Sequence, residues 1–109
     1  MSGSDRGRGG GGGGVDGPIA CERLQFETEV RSQNQALLAL VQVGEVLGVQ
    51  LRAGPPISVV IVRGGQDLGG IVSPKATRLR ECITMGTKYS ATVISVNGGV
   101  VKVRIAPIP

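Results

Sequence analysis

The sequence has no histidine and no tryptophan, with only one phenylalanine, one tyrosine and two cysteines in 109 residues. Each shortage excludes a class of function. Without histidine there is no imidazole general base, no Ser–His or Cys–His nucleophile pair, and none of the commonest metal ligand. Cys21 and Cys82 lie far apart in the sequence and make no zinc motif. Two cysteines are also too few for a disulfide scaffold, and nothing in their usage calls for an oxidising compartment. No stretch reaches the ~20 apolar residues that span a bilayer. The N-terminus carries no apolar segment behind its basic residues, so it does not read as a secretory signal. The expectation is a cytoplasmic protein without a membrane segment, with no enzymatic activity, no cofactor and no metal.

What is present divides into a tail and one small domain. Residues 1–20 read MSGSDRGRGGGGGGVDGPIA, with six consecutive glycines from Gly9 to Gly14. Glycine has the most backbone freedom to lose and no side chain to bury, so this stretch is expected to be a disordered tail. The tail is not a phosphate-binding loop, because it lacks the Lys-Ser/Thr pair and follows no strand. Its Arg-Gly-Arg-Gly-Gly is similar to Arg-Gly-Gly segments that add weak nucleic-acid affinity. A single domain is expected over 21–109. With so few aromatics its core must be built from Val, Ile and Leu, many of them β-branched and suited to a pleated surface.

Periodicity supports the sheet. In RLQFETEV, Leu24, Phe26, Thr28 and Val30 alternate with Arg23, Gln25, Glu27 and Glu29, as on a strand with one buried face. Glu27 and Glu29 then share the wet face and read as solubilising charges rather than a carboxylate pair. Residues 35–43 stay ambiguous: Ser32 or Asn34 can cap a short helix over Gln35–Val41, or the segment is a loop into the next strand. VLGVQLR (46–52) alternates again, and Gly54-Pro55-Pro56 ends it. Ile57–Arg63 is apolar on both faces, as in a central strand. A turn over Gly64-Gly65-Gln66-Asp67 precedes a short return strand, Leu68–Val72, in which Gly69 and Gly70 point to a bulge or a close backbone approach.

A well-defined helix is expected over about 73–85, with Ser73 as N-cap, Pro74 at its first position and Gly86 just past its end. Ala76, Leu79, Cys82 and Ile83 recur at helical spacing, which makes Cys82 a small buried apolar residue. The chain closes with a hairpin in which Lys88–Val96 and Val100–Ala106 flank Asn97-Gly98-Gly99. The fold class is mostly β (α+β): a small OB-like, partly open barrel or curved antiparallel sheet of five to six strands, one helix plugging an end.

Charge supplies the functional lead. The net charge is +4. The tail is neutral, with Arg6 and Arg8 set against Asp5 and Asp16. Residues 21–51 carry two more acids than bases, whereas 52–109 carry eight bases against Asp67 and Glu81. Such a half attracts polyanions. Candidate nucleic-acid contacts are Lys75, Arg78, Arg80, Lys88, Lys102 and Arg104, with Tyr89 as the one aromatic available for stacking. If the helix packs beside the hairpin, these residues line one groove.

The stretch GGQDLGGIVSPKATRLRECITMGTKYSATVISVNGGVVKVRI (64–105) resembles the second half of HIRAN-type domains. Leu68-Gly69 matches their strand-ending motif, Leu79 the helix core, and Gly86 the turn before a strand resembling Tyr89–Val96. The resemblance implies a small OB-like β-barrel of a kind often attached to DNA-processing enzymes, some of which bind single-stranded DNA ends. This chain has Ala53-Gly54-Pro55-Pro56 where the family usually carries an Asn-Pro-x-Asp-like turn. It also lacks the aromatics that hold the DNA end, so no DNA-contact residue carries over. Two partner classes follow: single-stranded DNA or RNA, and a protein partner or self-association. The latter is suggested by Ile57–Val62, which is too apolar for a solvated edge.

Overall fold

The computed structural model describes residues 19–31 and 34–109. The expected tail, apart from Ile19 and Ala20, lies outside the described residues, as does the cap candidate Ser32. A 3-10 turn at Cys21–Arg23 leads into β1 (Phe26–Arg31). A one-turn helix α1 (Gln35–Leu38) follows, then β2 (Val46–Arg52), β3 (Ser58–Arg63), β4 (Gln66–Val72), α2 (Ala76–Thr84), β5 (Tyr89–Asn97) and β6 (Val100–Pro107).

The strands form a closed barrel in the order β1-β4-β3-β2-β5-β6, with β6 pairing back on β1, and every pair is antiparallel. The architecture is thus mostly β with one substantial helix, and the sheet has six strands and is closed. Inward alternation is strict in β1 and β6. Leu24, Phe26, Thr28 and Val30 are buried on or just before β1, and Val101, Val103 and Ile105 face them from β6. The valine, isoleucine and leucine core needs only two aromatics, Phe26 and Tyr89, both buried.

β3 is hydrogen-bonded on both sides, to β2 and to β4, so it is not a solvated edge. Its inward residues Val59 and Ile61 belong to the core. An ion pair spans its outer side. The Arg52 guanidinium on β2 donates to Gln50 and, across β3, to both carboxylate oxygens of Asp67 on β4. Val60 and Val62 lie between these partners in the register, and each is under a tenth exposed. The apolar residues Val59 to Val62 are thus buried within the domain, while Ile57, just before the strand, stays exposed.

Two bulges re-aim side chains. Ile61 opposes Gly69 while Val62 opposes Asp67, so Leu68 is the extra residue on β4 and turns into the core, 1% exposed. Ile94 is the extra residue between Val93 and Ser95 on β5, and inward positions shift from Val93 to Val96. The β3–β4 turn is tighter than expected. Gly64 and Gly65 alone connect the strands, both at positive φ (59° and 82°), as a primed two-residue turn requires, and β4 begins at Gln66. The β5–β6 turn is displaced by one residue. Asn97 is still paired with Val100, and Gly98 rather than Asn97 takes the positive φ.

The segment 35–43 contains a helix of a single turn. Asn34 caps it, its side-chain oxygen accepting from the Leu37 N–H at 3.0 Å. Leu37 and Leu38 are buried, and Leu40 is already exposed, so the helix ends once its apolar pair is placed. α2 is shorter than the expected 73–85. Pro74-Lys75 form a turn in which the Ser73 hydroxyl accepts from the Lys75 N–H, and helix begins at Ala76. Gly86 ends it at φ 104°. α2 stops one end of the barrel. Leu79 and Cys82 enter the core, and Ile83 packs on it together with Val49 and Leu51. Among the described residues no helix is long and apolar enough to cross a membrane.

Candidate binding site

The structure divides the sequence-derived basic set in two. Lys102 and Arg104 project from the outer wall of β6, and both reach Glu27 on the adjoining β1, at 3.8 and 3.1 Å. The register explains the contact, since Glu27 is the direct partner of Arg104 and Glu29 that of Lys102. Arg78 and Arg80 instead sit on α2, which packs chiefly against β2 and β3 rather than beside the β5–β6 hairpin. One groove holding all seven candidates is not formed.

At the α2 end each side chain is placed by a local cause. Lys75 precedes the first helical residue and stands 5.8 Å from the centre of the Phe26 ring. Arg80 donates to the Ile57 carbonyl at 3.3 Å, tying the Gly54–Ile57 loop to the helix. Arg78 reaches Glu81 one turn along at 3.2 Å. It also directs Nε and Nη2 onto one oxygen, the Ile19 carbonyl, at 3.1 and 3.0 Å. Lys88 lies exposed two residues beyond Gly86.

Elsewhere the cations are matched: Arg31 with Glu29, Arg52 with Asp67, and Arg63 with Glu45 at 2.6 Å. Among the described residues Arg23, Lys75, Arg80 and Lys88 have no carboxylate partner. Arg80 is on α2, Lys75 and Lys88 are in the segments on either side of it, and Arg23 is in the 3-10 turn at Cys21–Arg23. Exposed ion pairs contribute little to stability, but they do settle which charges remain available to an incoming anion.

Two open hollows flank the same helix. One, of about 410 Å³, is lined by Ile57, Arg78, Arg80, Glu81, Thr84 and Met85. Its apolar members are well exposed, Ile57 at 48% and Met85 at 66%. The other, of about 470 Å³, opens where β2 and β5 part. It runs past Gly48–Gln50 on one side and Gly86–Tyr89 on the other. Their linings come nearest in sequence at the C-terminal end of α2, where Thr84 and Met85 line the first and Gly86 the second. The second exists because β5 pairs with β2 only over Val46–Gly48, leaving Val49–Arg52 unpaired on that side.

Tyr89 offers no stacking face. It is 3% exposed, and its hydroxyl donates to the Cys21 carbonyl at 2.6 Å. Burial pushes this phenol above its ordinary value and Glu22 adds to the rise, while Arg78 pulls it back. Because it is the only tyrosine, its ionisation can be followed by phenolate absorbance alone. The native midpoint should lie above about 10, the value of a free phenol. The folded state then holds a proton that the unfolded state releases, so stability falls as pH rises past about 10. A native midpoint at or below that of the urea-unfolded chain would contradict this.

Sequence reasoning missed the link between the cysteines. Cys82 is buried as expected, but it is not a lone apolar side chain: it is bonded to Cys21, and among the described residues no free cysteine remains. The bridge fixes the 3-10 turn to the inner side of α2, and the Tyr89 and Arg78 contacts converge on the same short segment. No sequence signal marked the pair, since only the closed barrel brings Cys21 to α2. Among the described residues no three His, Cys, Asp or Glu side chains gather as a metal site. Compared with protein-family models, curated proteins and solved structures, the chain matches none.

Proposed function

We propose that the domain is a non-enzymatic binding module for single-stranded nucleic acid and that the strand runs along the exposed side of α2. The observation that carries this reading is the position of the unmatched cations. Lys75, Arg80 and Lys88 lie just before, on and just after one helix, whereas the side-wall cations are matched by carboxylates. Phosphates supply most of the affinity in such binders, and the two hollows beside α2 give the backbone room to lie against the helix. Ile57, Met85 and the planar Arg80 guanidinium offer surfaces for bases in place of aromatic rings. The resemblance of 64–105 to HIRAN-type domains points the same way, and a cytoplasmic setting goes with it.

The test is fluorescence anisotropy with labelled single-stranded DNA and RNA at low and physiological salt. Arg80→Glu and Lys88→Glu should each weaken binding on the order of tenfold at low salt and lower the salt slope by about one. Arg104→Glu, on the side wall beside Glu27, should change it little. Absence of binding at low salt, or equal losses from all three variants, would reject the reading. One observation favours a second reading, a protein partner: the exposed Ile57 and Met85 in an arginine-edged hollow. Binding that survives both charge reversals but is lost in Met85→Glu would select it.

A further inference from the structure

We propose that the Cys21–Cys82 bridge is a redox-operated latch that keeps residues 19–23 seated on α2 and so withholds Arg78 from a ligand. The effect on ligand binding rests on the nucleic-acid reading above, while the latch itself does not. The arm has almost nothing of its own to hold it. Ile19, Ala20, Glu22 and Arg23 are exposed and Cys21 is half-buried, and the first deeply buried side chain is Leu24, at 1%. Besides the disulfide and the packing of Cys21 on the core, its hydrogen bonds to the rest of the domain are the Arg78 fork on the Ile19 carbonyl and the Tyr89 hydroxyl on the Cys21 carbonyl. Ordering one residue of backbone costs about as much as one hydrogen bond returns net, and five residues are ordered here for a few such bonds. With the bridge intact the arm has little freedom to leave. With it cut, the balance turns towards release up to Leu24.

Release changes Arg78 in a definite way. Two of its N–H groups converge on a single neutral carbonyl oxygen, the geometry a guanidinium uses for an oxygen of phosphate or carboxylate. The arm's carbonyl occupies that position, and its departure frees the fork beside Arg80 in the same hollow. Only one sulfur is open to attack, because Cys82 is fully buried. A reductant thiolate therefore attacks Sγ of Cys21, forming a mixed disulfide and expelling Cys82 as a thiolate, which takes up a proton. A second reductant thiolate then attacks the reductant sulfur of that mixed disulfide. This releases Cys21, also protonated, and leaves the reductant as its own disulfide. The protein gains two electrons and two protons from two thiols.

Trypsin reads the latch directly through the Arg23–Leu24 bond, with products assigned by mass spectrometry and the digestion run in the cold to keep the domain folded. In the oxidised protein Arg23 is held in the 3-10 turn. Dithiothreitol, or Cys21→Ser without reductant, should accelerate this cut at least tenfold while cuts after Arg52 and Arg104 in the barrel stay slow. An unchanged rate at Arg23 overturns the latch. So does equal acceleration at all three sites, which is the mark of a bridge that only stabilises the whole fold. Anisotropy on the same samples should show the labelled oligonucleotide bound about fivefold more tightly after reduction, and Arg78→Gln should abolish that gain. Equal affinity in both redox states overturns the control over the site. Absence of binding in both states rejects the nucleic-acid reading and leaves the latch to stand on the cleavage data.

Discussion

Replacing Cys21 by serine should lower the stability of the domain by about 3 kcal/mol, measured by urea unfolding of the oxidised wild type against the variant. The bridge closes a loop of sequence separation 61, which encloses β1 to β4 and most of α2. In the chain-entropy picture a loop of this length restricts the unfolded chain by about 4 kcal/mol. The variant regains part of that, because its N-terminal arm is also freed in the folded state. For a domain of this size the melting temperature should fall on the order of 12–24 °C. The denaturant slope should rise as well, because an uncrosslinked chain exposes more surface when it unfolds. A loss below about 0.5 kcal/mol with an unchanged slope would show that the bridge constrains neither state.

Leu79→Ala should cost a similar amount, about 3–4 kcal/mol, for a different reason. Leu79 is wholly buried and, with Cys82, forms the part of α2 that stops the barrel end. Its neighbours across the core are strand residues held by hydrogen bonds on both sides, so they cannot collapse into the space left behind. A closed wall relaxes less than an open one, which keeps this leucine out of the lowest part of the usual range of about 2–5 kcal/mol. Thr77→Ala, on the exposed side of the same helix, provides the comparison and should change stability by less than about 0.5 kcal/mol. Equal effects from the two substitutions would mean that α2 does not seal the core.

Local pattern carried much of the fold. Alternation in 23–30 and 46–52 located β1 and β2, since each has a single buried face. Glycines at 64, 65 and 86 punctuated the chain for a backbone reason, as all three sit at positive φ. What was not legible depends on contacts between distant segments. β1 pairs with both β4 and β6, and no property of its six residues names those partners. The bulges at Leu68 and Ile94 each shift which side chains turn inward, and neither shift is written in the residues of the bulged strand alone. The basic residues were counted correctly, but their grouping depended on where α2 docks and on Glu27 standing opposite Arg104. Tyr89 and Cys82 were read by type, yet their roles come from Cys21, which only closure of the barrel brings near.

That closure joins the beginning of the domain to its end. Phe26 is paired with Ile105 and Arg31 with Val100, so the first strand cannot complete its hydrogen bonds until the last has been made. At a synthesis rate of about 5–20 residues per second, the apolar side of β1 waits on the order of 4–16 s for its partner. Contacts this distant in sequence also place the domain among slow folders, in the millisecond-to-second class rather than the microsecond one. A nascent chain paused before the final hairpin would therefore present an unclosed sheet with two free edges, and its apolar side stays uncovered until β6 has been made.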